Sequence, residues 1–483
     1  MQGYHTVRVN FKGGIVSPKS LKDMLEVAQQ FHITKVRFSL RQQLFVYVPY
    51  AFMASFSKAM QIQDIALQID ENAYPNLISS YVGEEVFQSG NWLTEGIYQE
   101  IFDTFDYEPH LKINLSDNRQ SFTPFFSGHL NFVSSDLTNY WYLQVRLPKT
   151  NEVHAFERLI YSTELSNVCK ILEAHLLNGY HDIASVFEQI PLRSTLPVTQ
   201  PLQLPAFSLP YYEGFNRYGD KTWLGIYRRD ELFSVDFLLE LCQLCLDTKI
   251  GLICLTPWKS LIIKGISKES RSLWSNLLAK YSINVRHAAN ELNWQVEDDS
   301  PEALALKQLL VRAFDRDDLR TFGICFGIKT IPKTEVFASI MVRQRAWKWL
   351  NWIPLFKVYD ISYTQDFDPN GRTKLYFAQG ITRFNLAEQL RRSVLFYNRK
   401  VAENEVKKVE KSLIVNELNK LVSAPQLHQC KHCFTVYDPT FGDELNGVAP
   451  GIPFNKLPKT YTCPTCEGAK SDFKIRSLSE IGA

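Results

Sequence analysis

The chain has 483 residues, 45% of them hydrophobic and 22% charged, with 53 Lys and Arg against 51 Asp and Glu. That length exceeds one ordinary core and predicts two to four domains, while the near-neutral balance supplies no global field for nucleic acid or a membrane surface. No apolar run reaches the roughly 18 residues of a membrane span, and the start, MQGYHTVRVNFKGG, lacks the basic-then-apolar pattern of a secretion signal.

Along the chain, residues 19–31 (KSLKDMLEVAQQF) carry Leu21, Met24, Leu25, Val27, Ala28 and Phe31 at helical spacing. ITKVRFSL and QLFVYVPY alternate like the two strands of a hairpin, and residues 51–62 again read as helix. The succession then returns. LFSVDFLLELCQLCLDT reads as helix, IGLICLTPW and SLIIKGI as strands, and about 269–281 as helix. Helix, hairpin and helix recur roughly 215 residues on, which predicts a duplicated body rather than an array of short repeats.

The two hairpin segments also carry a family likeness. Val36, Arg37, Ser39, Arg41 and Gln42 follow a Val-Arg-x-Thr-x-Arg-Gln signature, and Leu255, Thr256, Pro257, Trp258 and Leu261 follow Leu-Thr-Pro-Trp-x-x-Leu. The body, about 10–415, thereby resembles the siroheme nitrite and sulfite reductases, whose pattern the cobalamin-pathway precorrin synthases share. The resemblance implies an α/β (α+β) fold with duplicated ferredoxin-like half-domains and two larger α/β lobes. LKINLS (111–116) and FKVYDISY (356–363) would be strands of those lobes. It implies siroheme contacts from Arg37 and Arg41, with Lys112 near a further basic family position and Lys259 and Lys264 adding charge. Eight carboxylates on siroheme call for such a cradle. Solvated surface charge, or the remnant of a vacated pocket, is the competing reading of the same residues. Family members also hold a [4Fe-4S] cluster on Cys-x5-Cys and Cys-x3-Cys. The corresponding stretches, 283–298 and 320–336, contain Cys325 alone. A four-thiolate cluster is therefore not expected, and neither is six-electron reduction by the family route.

Other motifs have plainer readings. Cys242 and Cys245 share an apolar helical face with Leu238 and Leu241 and read as core. His287 and His432 are lone histidines with structural or surface roles by default. RQRAWKWLNW (343–352) interleaves basic and aromatic residues, which in a near-neutral chain predicts an amphipathic packing face over a nucleic-acid platform. Residues 399–420 read as a charged helix with Glu403–Lys407 and Glu405–Lys408 pairs. A short linker, 421–427, then tethers the tail.

The tail is the most specific segment. Four of the nine cysteines lie there, as Cys430/Cys433 and Cys463/Cys466. Each Cys-x-x-Cys turn aims two thiolates the same way, so the two turns can close a tetrahedral site for iron or zinc. This usage favours a reducing compartment, the cytoplasm, over a disulfide framework. Between and beyond the pairs stand Tyr437, Asp438, Pro439, Gly442, Asp443, Gly447, Pro450, Gly451, Phe454, Leu457, Pro458, Tyr461, Pro464, Lys470 and Phe473. Over about 428–475 the tail resembles rubredoxin. The resemblance implies one iron on four cysteines, shuttling single electrons without substrate chemistry. Three positions depart from it: Phe434 and Glu467 stand where rubredoxins usually have glycine, and Tyr461 replaces a frequent Trp.

The expected organisation is a first nitrite/sulfite reductase-like repeat at 1–200, a second at 201–420, and a rubredoxin-like metal-bound domain at 428–476. The chain reads as an electron carrier rather than a nitrite or sulfite reductase. Its body would be a cluster-less scaffold serving redox partner proteins, with no nucleic acid or membrane partner. A rival reading keeps siroheme in the body, fed by the tail, and a third makes the tail a zinc-bearing interaction module.

Overall fold

The computed structural model describes residues 3–87, 92–148, 152–179, 182–288, 290–321, 323–332, 336–349, 353–371, 373–422 and 427–476; side chains at 347–355, 405 and 407–422 fall outside the description. The chain divides into two compact units, Met1–Leu395 and Phe396–Ala483. A 40-residue helix, Arg383–Val422, crosses that division.

In the larger unit, two five-stranded sheets share one plan. The first orders its strands Phe233–Ser234, Lys35–Phe38, Gln43–Pro49, Tyr4–Asn10 and Gln68–Ile69. The second runs Gly214–Tyr218, Lys221–Ile226, Leu261–Ile266, Ile253–Leu255 and Ile15–Val16. Each therefore borrows its edge strand from the other half of the chain: Phe233 pairs with Val36, and Val16 pairs with Ile253. Where each borrowed strand ends, a serine caps a helix. Ser17 Oγ accepts the Ser20 N–H ahead of Pro18–Gln30, and Ser234 Oγ accepts the Phe237 N–H ahead of Val235–Asp247. Pro18 at the first helical position needs no N–H partner. The two helices face one another through Lys22–Gln243 and Gln29–Asp236 hydrogen bonds. Beneath them Leu21, Leu25, Val46, Leu238, Leu241 and Ile263 are buried in one core. Cys242 and Cys245 belong to it, and burial pushes the Cys242 thiol up to about 12.

The hairpin tips repeat atom for atom. Ser39 N–H donates to Gln43 O at 3.0 Å and Thr256 N–H to Ser260 O at 3.0 Å. Gln42 (φ 57°) and Lys259 (φ 56°) both take left-handed backbone at the same place. A hydroxyl closes each turn: Ser39 Oγ accepts from Arg41 and Gln43 N–H, and Thr256 Oγ1 from Trp258 and Ser260 N–H. Arg41 and Trp258 are thus equivalent positions.

Two further sheets also share a topology. Ile78–Ser79, Ile113–Ser116 and Leu130–Ser134 run parallel before Tyr140–Arg146 turns back. Likewise Trp294–Val296, Phe326–Lys329 and Ile340–Trp349 run parallel before Ile353–Thr364 turns back. The basic-aromatic stretch starts on Ile340–Trp349, where Arg345 pairs with Asp360 at 2.7 Å; its residues 350–352, and the side chains from 347 on, lie outside the described residues. Among the described residues no helix is long and apolar enough to cross a membrane. In the charged helix the observed ion pair is Lys400–Glu403, 3.0 Å; the Lys407, Glu405 and Lys408 side chains lie outside the described residues, as does most of the expected linker.

Candidate metal centre

Among the described residues of 427–476 the apolar core is small. Three short strands, Val436–Tyr437, Leu427–Cys430 and Phe473–Arg476, pair in that order. Tyr437, Phe454, Leu457 and Tyr461 make the buried core, with Val448, Ile452 and Phe473 packed against it. Aromatic side chains suit so small a body because each buries a large area. Their polar tips are answered: Tyr437 OH donates to Ile452 O at 2.7 Å, and Tyr461 OH to Asp443 Oδ2 at 2.7 Å. Asp443 also receives the Asn446 N–H and side-chain amide, which fixes the loop between the cysteine pairs. Lys470 Nζ reaches back to Leu457 O at 2.5 Å.

Two matching knuckles present the sulfurs. In the first, Phe434 N–H donates to Cys430 O and Cys430 N–H to Thr435 O; in the second, Glu467 N–H donates to Cys463 O and Cys463 N–H to Gly468 O. Phe434 (φ 59°) and Glu467 (φ 55°) take the left-handed conformation that the glycine expectation requires, now with side chains in place. Gly468 packs close against the site. A Cβ there would stand 3.2 Å from the His432 ring, 3.4 Å from Cys466 Sγ and 3.6 Å from Cys430 Sγ. His432 itself pairs with Asp472 at 3.4 Å.

All four sulfurs converge, with the ligand atoms of Cys430, Cys433, Cys463 and Cys466 within 4.8 Å of one another. Cys430 and Cys466 Sγ lie 3.7 Å apart, and Cys433 and Cys463 Sγ 3.4 Å. The first cysteine of each knuckle is buried, while Cys433 is half-buried and Cys466 exposed. The Thr435 hydroxyl, then its backbone N–H, hold the Cys433 thiol down to about 6. A cation bound by four thiolates would relieve their crowding, so this donor set fits one soft, tetrahedral metal ion.

Comparison with known proteins agrees with this geometry. The family model described as rubredoxin matches residues 427–473. A probable rubredoxin of Methanothermobacter thermautotrophicus is 42% identical over 53 residues, 11% of this chain and 84% of that protein.

The chain belongs to the rubredoxin family.

Membership rests on this one domain. The high molecular weight rubredoxin of Moorella thermoacetica is 45% identical over 58 residues, 12% of this chain and 25% of that protein. The probable rubredoxin HupJ of Rhodobacter capsulatus is 42% identical over 59 residues, 12% of this chain and 21% of that protein. The chain thus spans about a quarter or less of those two relatives. Ahead of the rubredoxin domain, residues 1–54 match the nitrite/sulfite reductase ferredoxin-like half domain. The solved structure of the Mycobacterium tuberculosis NirA protein shares the fold, with a TM-score of 0.58 at 15% identity over 81% of this chain and 80% of that one. A rubredoxin domain is fused to a nitrite/sulfite reductase-like body.

In the body, Arg41, Lys259 and Lys264 turn inward to the chain's own oxygens. Arg41 is buried, and its guanidinium donates to Asn76 O (2.5 and 3.0 Å), Ile113 O (3.0 Å) and Asn114 Oδ1 (3.3 Å). Lys259 is buried against Glu231 (2.9 Å), Glu297 O (2.9 Å) and Asp298 (3.3 Å). Lys264 donates to Tyr81 O and Glu84 O, both at 2.9 Å. Lys112 is half-buried, its carbonyl accepting from His129 and Leu130 N–H. Arg37, also half-buried, keeps its Nε buried without a hydrogen-bond partner. Around Trp258 the body is filled by aromatic rings: Tyr212 at 6.0 Å, Phe122 at 6.3 Å and Phe337 at 6.5 Å. Trp258 Nε1–H donates to Phe122 O at 2.8 Å. Cys325 is fully buried, its thiol donating to Phe337 O at 3.2 Å, and burial raises its pKa.

Sequence reasoning missed the neighbours of the sulfurs. Thr435 Oγ1 lies 3.1 Å from Cys433 Sγ and 2.8 Å from Thr465 Oγ1. It also missed the Glu231 and Asp298 carboxylates and the Glu297 carbonyl that hold Lys259, since they sit 28 to 39 positions away from it with no spacing signal.

Proposed function

We propose that this protein is a cytoplasmic one-electron carrier whose single iron is held by Cys430, Cys433, Cys463 and Cys466. The convergence of four sulfurs within 4.8 Å carries the reading. When bound, the iron supplies reversible one-electron chemistry. The chain's residues hold four thiolates in fixed array, so little rearrangement accompanies a change of charge. They also shield Cys430 and Cys463 while leaving Cys433 and Cys466 toward solvent, where partner proteins would give and take electrons.

The body, in two repeats near 1–200 and 201–420, serves as a docking scaffold for a nitrate-, nitrite- or sulfite-reducing system. Support comes from its fold, from Cys325 standing alone in the stretches expected to hold a cluster, and from the internal engagement of Arg41, Lys259 and Lys264. One absorption spectrum with metal analysis tests this. The expected result is iron–thiolate charge-transfer absorption that bleaches on dithionite reduction, with one iron per chain. An added siroheme band would overturn the scaffold reading, and a colourless chain with stoichiometric zinc would overturn the carrier.

A further inference from the structure

Thr435 sits where two demands meet. It follows the first knuckle, and its hydroxyl lies 3.1 Å from Cys433 Sγ and 2.8 Å from Thr465 Oγ1, a residue inside the second knuckle. A threonine hydroxyl has one hydrogen to give. With Cys433 as a thiol, the chain can run from sulfur to Thr435 to Thr465. A metal-bound thiolate has no hydrogen, so the chain must reverse: Thr465 donates to Thr435, and Thr435 donates to sulfur.

We propose that the Thr465–Thr435 hydroxyl pair is a redox-tuning device, a side-chain hydrogen bond to Cys433 sulfur that holds the reduced state of the centre. The inference rests on the iron reading above. Reduction adds one electron, taken from a donor protein, and with it negative charge on the four sulfurs. A donor aimed at sulfur is worth more in the more negative state, which raises the reduction potential. The second hydroxyl polarises the first and strengthens it. The pair also links the two knuckles across 30 positions of sequence. Cys433 is one of the two sulfurs nearer solvent, so the donor acts at the edge where electrons enter.

The test uses the full chain loaded with iron, with Thr435→Val, Thr435→Ser and Thr465→Val. Thr435→Val keeps shape and removes the donor. Its potential should fall, with the reduction equilibrium constant lowered by up to about tenfold, about 59 mV for one electron. Thr435→Ser should restore the wild-type potential, and Thr465→Val should fall by a smaller amount. Redox titration of the charge-transfer band reads all three. A Thr435→Val chain with normal iron content and a wild-type potential overturns the inference. Should that variant fail to hold iron, a wild-type potential in Thr465→Val overturns it instead. Wild-type protein that itself loads no iron would signal failure of the iron reading, a separate result read from metal content before any potential.

Discussion

Phe434 and Glu467 bear a cost that glycine would not. Left-handed backbone costs a side-chain-bearing residue about 1–2 kcal/mol, partly offset because glycine loses more freedom on folding. Phe434 is 69% exposed, so its ring contributes little burial in exchange. Phe434→Gly should therefore stabilise the iron-loaded domain by about 0.5–1 kcal/mol. The guanidinium midpoint for loss of the charge-transfer band measures this, and a lowered midpoint would show that the ring is held by contacts of its own. At this scale much of the centre was legible. The four cysteines and the two φ-positive positions lie within local turns, where spacing dictates geometry. The Thr435–Thr465 bridge was not, because a pair of hydroxyls has no periodicity and meets only after both knuckles have folded.

Hairpins and helices set the next scale. The tip bearing Arg41 is riveted to neighbouring segments by its guanidinium, while the equivalent tip uses the Trp258 ring. Replacing Arg41 with Met strands the carbonyls of Asn76 and Ile113 in the interior. Each buried acceptor left without its donor costs about 1–3 kcal/mol. Arg41→Met should lower the body's thermal midpoint while leaving the iron charge-transfer spectrum unchanged; a parallel loss of iron would show that Arg41 supports more than the hairpin. The strands and helices of both repeats were readable from period, while the caps at Ser17 and Ser234 emerge only with the fold. The role of Arg41 was not. A signature that resembles a cofactor contact reads the same whether its donors meet a carboxylate or a backbone carbonyl, and only the fold distinguishes them.

For the molecule as a whole, the duplication was visible as a recurrence of helix, hairpin and helix, but the trade of edge strands was not. Ile15–Val16 and Phe233–Ser234 are two residues each, too short to announce a partner, and their pairing is long-range. Among the described residues, the tail cysteines are the one group of His, Cys, Asp and Glu side chains placed to hold a metal.

The reciprocal strands make the two halves of the body hostages to each other. The extended stretch at 201–212 has no helix or strand and many exposed positions, which makes it the natural place to sever the chain. A fragment ending there would present an unfilled sheet edge at Lys35–Phe38, and its complement would present another at Ile253–Leu255. Such edges recruit whatever strand is available. Each fragment made alone should aggregate, while the two co-expressed should purify as a one-to-one complex by size-exclusion chromatography. Fragments that stay monomeric and folded apart would show that the exchange is ornamental. If they do not, each half of the body needs a two-residue strand from the other to complete its sheet.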